Sequence, residues 1–170
     1  MMTSGPYPPR VQAEPSNVQR FFQQVARLAL LALVLMPAFH YGNLPEQIPQ
    51  NFNAAGEFRG MGSKIWIWLL PAIGVVVFFG ANWLTKWPHK HNYPVHLTEQ
   101  NAPRIYGISN CLLWFVAAVL LTLSAFITHV YIQAALGIAN AAGAVGVILL
   151  FLAVLFIGIF YFIGKMFKAQ

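Results

Sequence analysis

Four stretches of this chain are long and apolar enough to cross a bilayer, and that constrains the fold more than any other feature. A helix needs about 20 predominantly apolar residues to span the hydrocarbon core. The expected spans run from about 21 to 41, 65 to 84, 111 to 132 and 138 to 163. In the first, Gln23, Gln24 and Arg27 interrupt the apolar run near one end, where they can snorkel to the interface. Pro37 near the other end is expected to kink or end that helix. Only 8% of the residues are charged, against about 25% in soluble domains. The sequence therefore describes an all-α integral membrane four-helix bundle, in which residues 1–20 form a tail and 21–170 the membrane domain. The tail does not lead to a clear small-x-small cleavage site, so the first apolar run reads as an uncleaved span.

The charge pattern orients it. Basic residues accumulate on the cytoplasmic side. Arg10, Arg20, Arg27, Lys86, Lys90, Arg104, Lys165 and Lys168 fall at one end of the spans, and only Arg59 and Lys64 at the other. Eight against two places both termini and the loop 85–110 in the cytoplasm, and the loop 42–64 outside. Trp66 and Trp83 bracket the second span, separated by about 25 Å at the helical rise, close to one hydrocarbon thickness. The net charge of +6 is thus a matter of topology. The basic residues are not gathered on one helix among exposed aromatics, so nucleic acid is not an expected partner. The expected partners are the lipid bilayer and other membrane proteins or further copies of the chain.

Catalytic chemistry is sparse. The acidic residues are Glu14, Glu46, Glu57 and Glu99, with no Asp, and Cys111 is the lone cysteine. No Ser/His/Asp set, paired carboxylates or mid-membrane charge is visible, which argues against an enzyme and against an ion-coupled pump. No cofactor is expected. His40 and His129 fall near the outer ends of the first and third spans, where they read as interfacial side chains or as a facing pair. His89, His91 and His96 share one Pro-containing loop; a solvated interfacial loop and a weak metal site are the two readings. In the fourth apolar stretch Ala135, Ala139 and Gly143 are four apart, with Ala142 and Gly146 on a neighbouring ridge and Asn140 between. Such spacing lets helix backbones approach closely, within the bundle or between chains.

The loop "LPEQIPQNFNAAGEFRGMGSK", residues 44–64, is too long for a plain connection. Pro45 and Pro49 stiffen its first part into an expected extended rod, Asn53 and Gly56 suit a turn, and Ser63 is placed to cap the second span. Leu44, Ile48, Phe52 and Phe58 fit poorly with disorder, so the loop should fold against the outer helix ends.

These residues also carry a resemblance. Leu44-Pro45, Ile48-Pro49, Phe52-Asn53, Gly56 and Lys64 resemble the hallmark of a bacterial membrane domain of unknown function shared with Sdp-toxin immunity (SdpI-like) proteins, and Asn51 and Glu57 lie in the same motif loop, a candidate contact for a ligand or partner. A second segment, Asn92-Tyr93-Pro94, Thr98-Glu99, Asn101-Ala102, Arg104 and Tyr106, is similar to one that often follows the second span in such proteins. Many relatives carry a His where this chain has Asn51. The resemblance implies a non-enzymatic immunity or sensor protein that meets a secreted peptide toxin and can tether a repressor. A second reading, ranked after the first, is an accessory subunit of a larger membrane complex, which the absence of mid-membrane charge, the small-residue ridge of the fourth span and the aromatic-rich helices suit; the loop histidines suit a third, a metal-binding membrane protein.

Overall fold

The computed structural model describes residues 8–11, 13–53, 55–138, 141 and 143–170. It is mostly helical: α1 (Asn17–His40), a short hairpin of β1 (Gln47–Phe52) and β2 (Phe58–Ser63), α2 (Leu69–Leu84), α3 (Ala102–Ala135) and α4 (Ala144–Phe167). Four helical segments are long and apolar enough to cross a membrane.

α3 is the pillar. Its 34 residues rise about 51 Å, well beyond a hydrocarbon core of about 30 Å. It is therefore longer than such a core requires, and its two ends carry other structure, the hairpin region at Ile132 and the α2–α3 connection at Ile105 and Tyr106. α1, α2 and α4 all pack on α3, which buries half of its apolar stretch while α4 buries almost none. Close packing against α1 follows from small residues. Ala26, Ala29 and Leu33 form a stripe on α1 that meets Ala117, Ala118, Leu121 and Ala125 of α3. In a bilayer, where lipid tails are as apolar as leucine, such close backbone approach supplies the attraction.

Two glycines do the same for the other helices. A Cβ on Gly74 of α2 would lie 2.6 Å from Leu33 Cδ2, and one on Gly158 of α4 would lie 2.1 Å from Phe115 Cζ. These positions replace the small-residue ridge expected from the sequence. Ala135 is the last residue of α3, whereas Gly143 is the N-cap of α4 with a left-handed φ of 78°. The two are therefore not on one helix, and Ala139, Asn140 and Ala142 lie outside the described residues. Gly146 faces open space, with nothing near its missing Cβ.

Helix ends differ from the apolar runs for local reasons. α1 starts at Ser16, whose Oγ accepts from Gln19 N at 3.1 Å, and continues three residues past Pro37. α3 starts at Ala102, not at the apolar boundary near residue 111, and carries Pro103 in its first turn. Thr98 and Asn101 cap it reciprocally: Asn101 N donates to Thr98 Oγ1 at 3.2 Å and Thr98 N to Asn101 Oδ1 at 2.8 Å. This is the logic of a capping box with Asn in the acidic position. Arg104 and Tyr106 are consequently helical rather than part of a loop. α2 is preceded by a 3-10 turn, Lys64–Trp68, capped by Ser63 Oγ accepting from Ile65 N.

Candidate functional site

The stretch between α1 and α2 is a β-hairpin: the extended course expected from its prolines is that of β1, which pairs with β2 instead of standing as a lone rod. Gln47 pairs with Ser63, Ile48 with Gly62, Pro49 with Met61, Asn51 with Arg59 and Phe52 with Phe58. Proline is tolerated in a strand that lies at an edge, and both strands of a two-stranded sheet do. Asn53 builds the turn. Its Oδ1 accepts from the backbone N–H of Ala55 and of Glu57, both at 3.0 Å, and its Nδ2 donates to Glu57 Oε2 at 2.8 Å. Gly56 supplies the positive φ of 80° that side chains resist.

The hairpin lies on the C-terminal end of α3. Leu44 and Ile48 are buried with Ile67 and Ile132. Tyr131 is the central post: its hydroxyl donates to Gln50 O at 2.8 Å, and its ring sits 5.8 Å from Phe52 and 6.2 Å from Phe58. Lys64 closes the base of the hairpin, 2.9 Å from Glu46 and with its ammonium 5.0 Å from the Tyr41 ring centroid. Glu46 is 88% exposed, so this pair contributes little energy by itself. Leu44, Ile48, Phe52, Asn53, Gly56 and Lys64 of the first motif are thus builders of the hairpin, whereas Pro45, Asn51 and Glu57 are exposed.

Beneath the hairpin lies a cleft of about 260 Å³ walled by Ile48–Gln50 of β1, by Trp66, Ile67, Leu69 and Leu70 at the head of α2, and by Ile127, Thr128 and Tyr131 of α3. Thr128 is 1% exposed, and its hydroxyl has no hydrogen-bond partner among the described residues. A helical threonine ordinarily satisfies itself on a carbonyl one turn back, and leaving a buried donor unpaired costs about 1–3 kcal/mol. The arrangement suits an apolar guest carrying one hydrogen-bonding group. Sequence reading missed Thr128 and Tyr131 as site residues; the available signal was a hydroxyl three positions before a tyrosine, on one helical face.

The second motif is at the other end of the molecule and holds it together. Tyr106 OH donates to Pro9 O at 2.8 Å, Tyr93 OH to Pro88 O at 2.8 Å, and the two tyrosine rings are 5.5 Å apart. Ala102, Ile105 and Tyr106 are buried with Val95, Leu97, Met166 and Ala169, which ties the α2–α3 connection to the C-terminus. Asn92, Pro94, Thr98, Glu99 and Arg104 are exposed on its surface. Burial pushes the Tyr93 hydroxyl up to about 12 and holds the His91 imidazole below its usual range.

His91, His89 and His40 have contacts of their own. His91 Nε2 is 3.1 Å from Leu84 O and its Nδ1 3.4 Å from Ser109 Oγ; His89 packs on Trp87. Asn101 Nδ2 donates to the His96 carbonyl at 3.1 Å. His40 Nδ1 bonds Met36 O of its own helix at 2.9 Å, and His129 is exposed on α3. Among the described residues no group of three or more His, Cys, Asp or Glu side chains is placed to hold a metal ion.

Residues 28–75 match a family described as Domain of unknown function (DUF1648). That segment takes in the second half of α1, the whole hairpin and the head of α2, hence two of the three walls of the cleft. No curated protein and no solved structure matches the chain.

Proposed function

We propose that this protein is a non-enzymatic, multi-pass recognition protein of the bacterial inner membrane, with both termini cytoplasmic, which binds an amphiphilic ligand at the hairpin on the outer face. The observation that carries the reading is the buried, unpaired Thr128 hydroxyl in an apolar cleft roofed by the hairpin. Exposed Trp66 and Leu69 beside the cleft suit entry from the lipid. A hydrophobic peptide has the needed chemistry: apolar side chains for the walls and a carbonyl to accept from Thr128. Resemblance to SdpI-like proteins supports immunity to, or sensing of, a secreted peptide toxin.

The test is survival of a sensitive host that expresses the chain and is challenged with such peptides. Protection that is lost in Thr128→Val supports the reading; survival equal to that of an empty-vector host refutes the immunity role. A second reading, an accessory subunit of a membrane complex, is favoured by α4, where only Ala144, Phe162 and Met166 are buried. Gentle extraction and native mass spectrometry would then show a heteromeric assembly, and a lone 18.9 kDa species would refute it.

A further inference from the structure

A separate cleft lies at the opposite end of the bundle. The chain before α1, the first turns of α3 and the last turns of α4 enclose about 560 Å³. Arg104 from α3 and Lys165 and Lys168 from the end of α4 line it, with Glu14 as its carboxylate. Three cations against one anion leave a local charge of +2. None of the three cations has an anionic partner among the described residues, where the ion pair is Lys64 with Glu46 at the far end. Lys165 is held instead over the Tyr161 ring, 5.5 Å from its centroid. Ile108 and Phe162 supply apolar wall. The cleft also sits where α4 passes from its long apolar run to its basic end.

Cationic mouth and apolar wall at that depth match one kind of molecule, a phosphodiester carried on acyl chains. Desolvated phosphate oxygens gain charge-assisted hydrogen bonds from the guanidinium fork and the ammonium groups. A freely diffusing phosphate would leave the apolar wall without a role. We propose that this cleft binds the phosphate headgroup of an anionic membrane phospholipid, whose chains lie against Ile108 and Phe162 on the α3–α4 seam.

The proposal is tested on the delipidated full chain in detergent by native mass spectrometry, titrating phosphatidylglycerol or phosphatidylcholine with identical acyl chains. Phosphatidylglycerol is expected to bind at least about tenfold more tightly than phosphatidylcholine. Removal of each cation is expected to weaken it about fivefold, so that Arg104→Gln/Lys165→Gln/Lys168→Gln abolishes the preference. A control with the same loss of charge elsewhere, Arg59→Gln/Lys86→Gln/Lys90→Gln, is expected to retain it. Lys168→Glu, at an exposed position near the C-terminus, reads the same loss should the triple variant fold poorly. Equal binding of the two lipids overturns the proposal, as does equal weakening in the control or no weakening in Lys168→Glu. Displacement of the lipid by millimolar inorganic phosphate or glycerol phosphate also overturns it, because the site would then take soluble phosphate.

Discussion

Replacing Tyr131 by Phe isolates a hydrogen bond that fastens the hairpin to α3. The hydroxyl donates to Gln50 O at 2.8 Å; the rings of Phe52 and Phe58, 5.8 and 6.2 Å away, keep their contacts with the new phenyl group. A net intramolecular hydrogen bond is worth about 0.5–1.5 kcal/mol, so hairpin opening should become about 2- to 13-fold more frequent. Hydrogen exchange of the paired β1 and β2 amides reads that factor directly, since local opening sets their protection. Amides in the middle of α1, α2 and α3 should be unchanged, because Leu33, Leu121 and their neighbours are packed independently of the hairpin. Tyr131→Ala also removes both ring contacts, each worth about 0.5–1.5 kcal/mol beyond burial, and should release the hairpin almost fully. The reasoning is refuted if hairpin protection in Tyr131→Phe equals that of the unaltered protein, or if protection falls equally along the whole chain.

Gly158→Ala drives a methyl to 2.1 Å from Phe115 Cζ; overpacking of about 1–3 kcal/mol, less the helix-propensity gain of about 1 kcal/mol, should lower the thermal midpoint in detergent. Gly164→Ala, which meets open space, should be neutral or stabilising, and equal midpoints for the two would contradict the packing described. Thr128→Val removes a buried hydroxyl without a partner and should raise stability in detergent by about 1 kcal/mol; a loss of stability would show that the hydroxyl is satisfied. His91 has a depressed folded pKa, so the unfolded chain binds its proton first as pH falls. Its contribution is therefore fully present above about 6.5 and declines below it. Thermal midpoints measured from pH 8 to 5 should show that decline, and His91→Gln should flatten it.

The sequence alone determined that four segments are long and apolar enough to cross a bilayer, because a hydrocarbon core about 30 Å thick demands long runs without charge. It also determined the local devices, since a turn or a cap depends on a few consecutive residues: Asn53 and Gly56 at the hairpin tip, Ser63 before α2. The Thr98–Asn101 cap was legible in principle, but it lies ahead of the apolar run and so moves the start of α3 to Ala102. What only the tertiary structure decided is which distant residues meet. Gln50 and Tyr131 are 81 positions apart and Tyr106 and Pro9 are 97 apart; no periodicity encodes either pairing. The same holds for Gly158 against Phe115 and for the stranding of the Thr128 hydroxyl in an apolar cleft. Membrane helices are uniformly apolar around their circumference, so the pattern that reveals a buried face in water is erased, and the inner face is set by the fit of small residues against large ones.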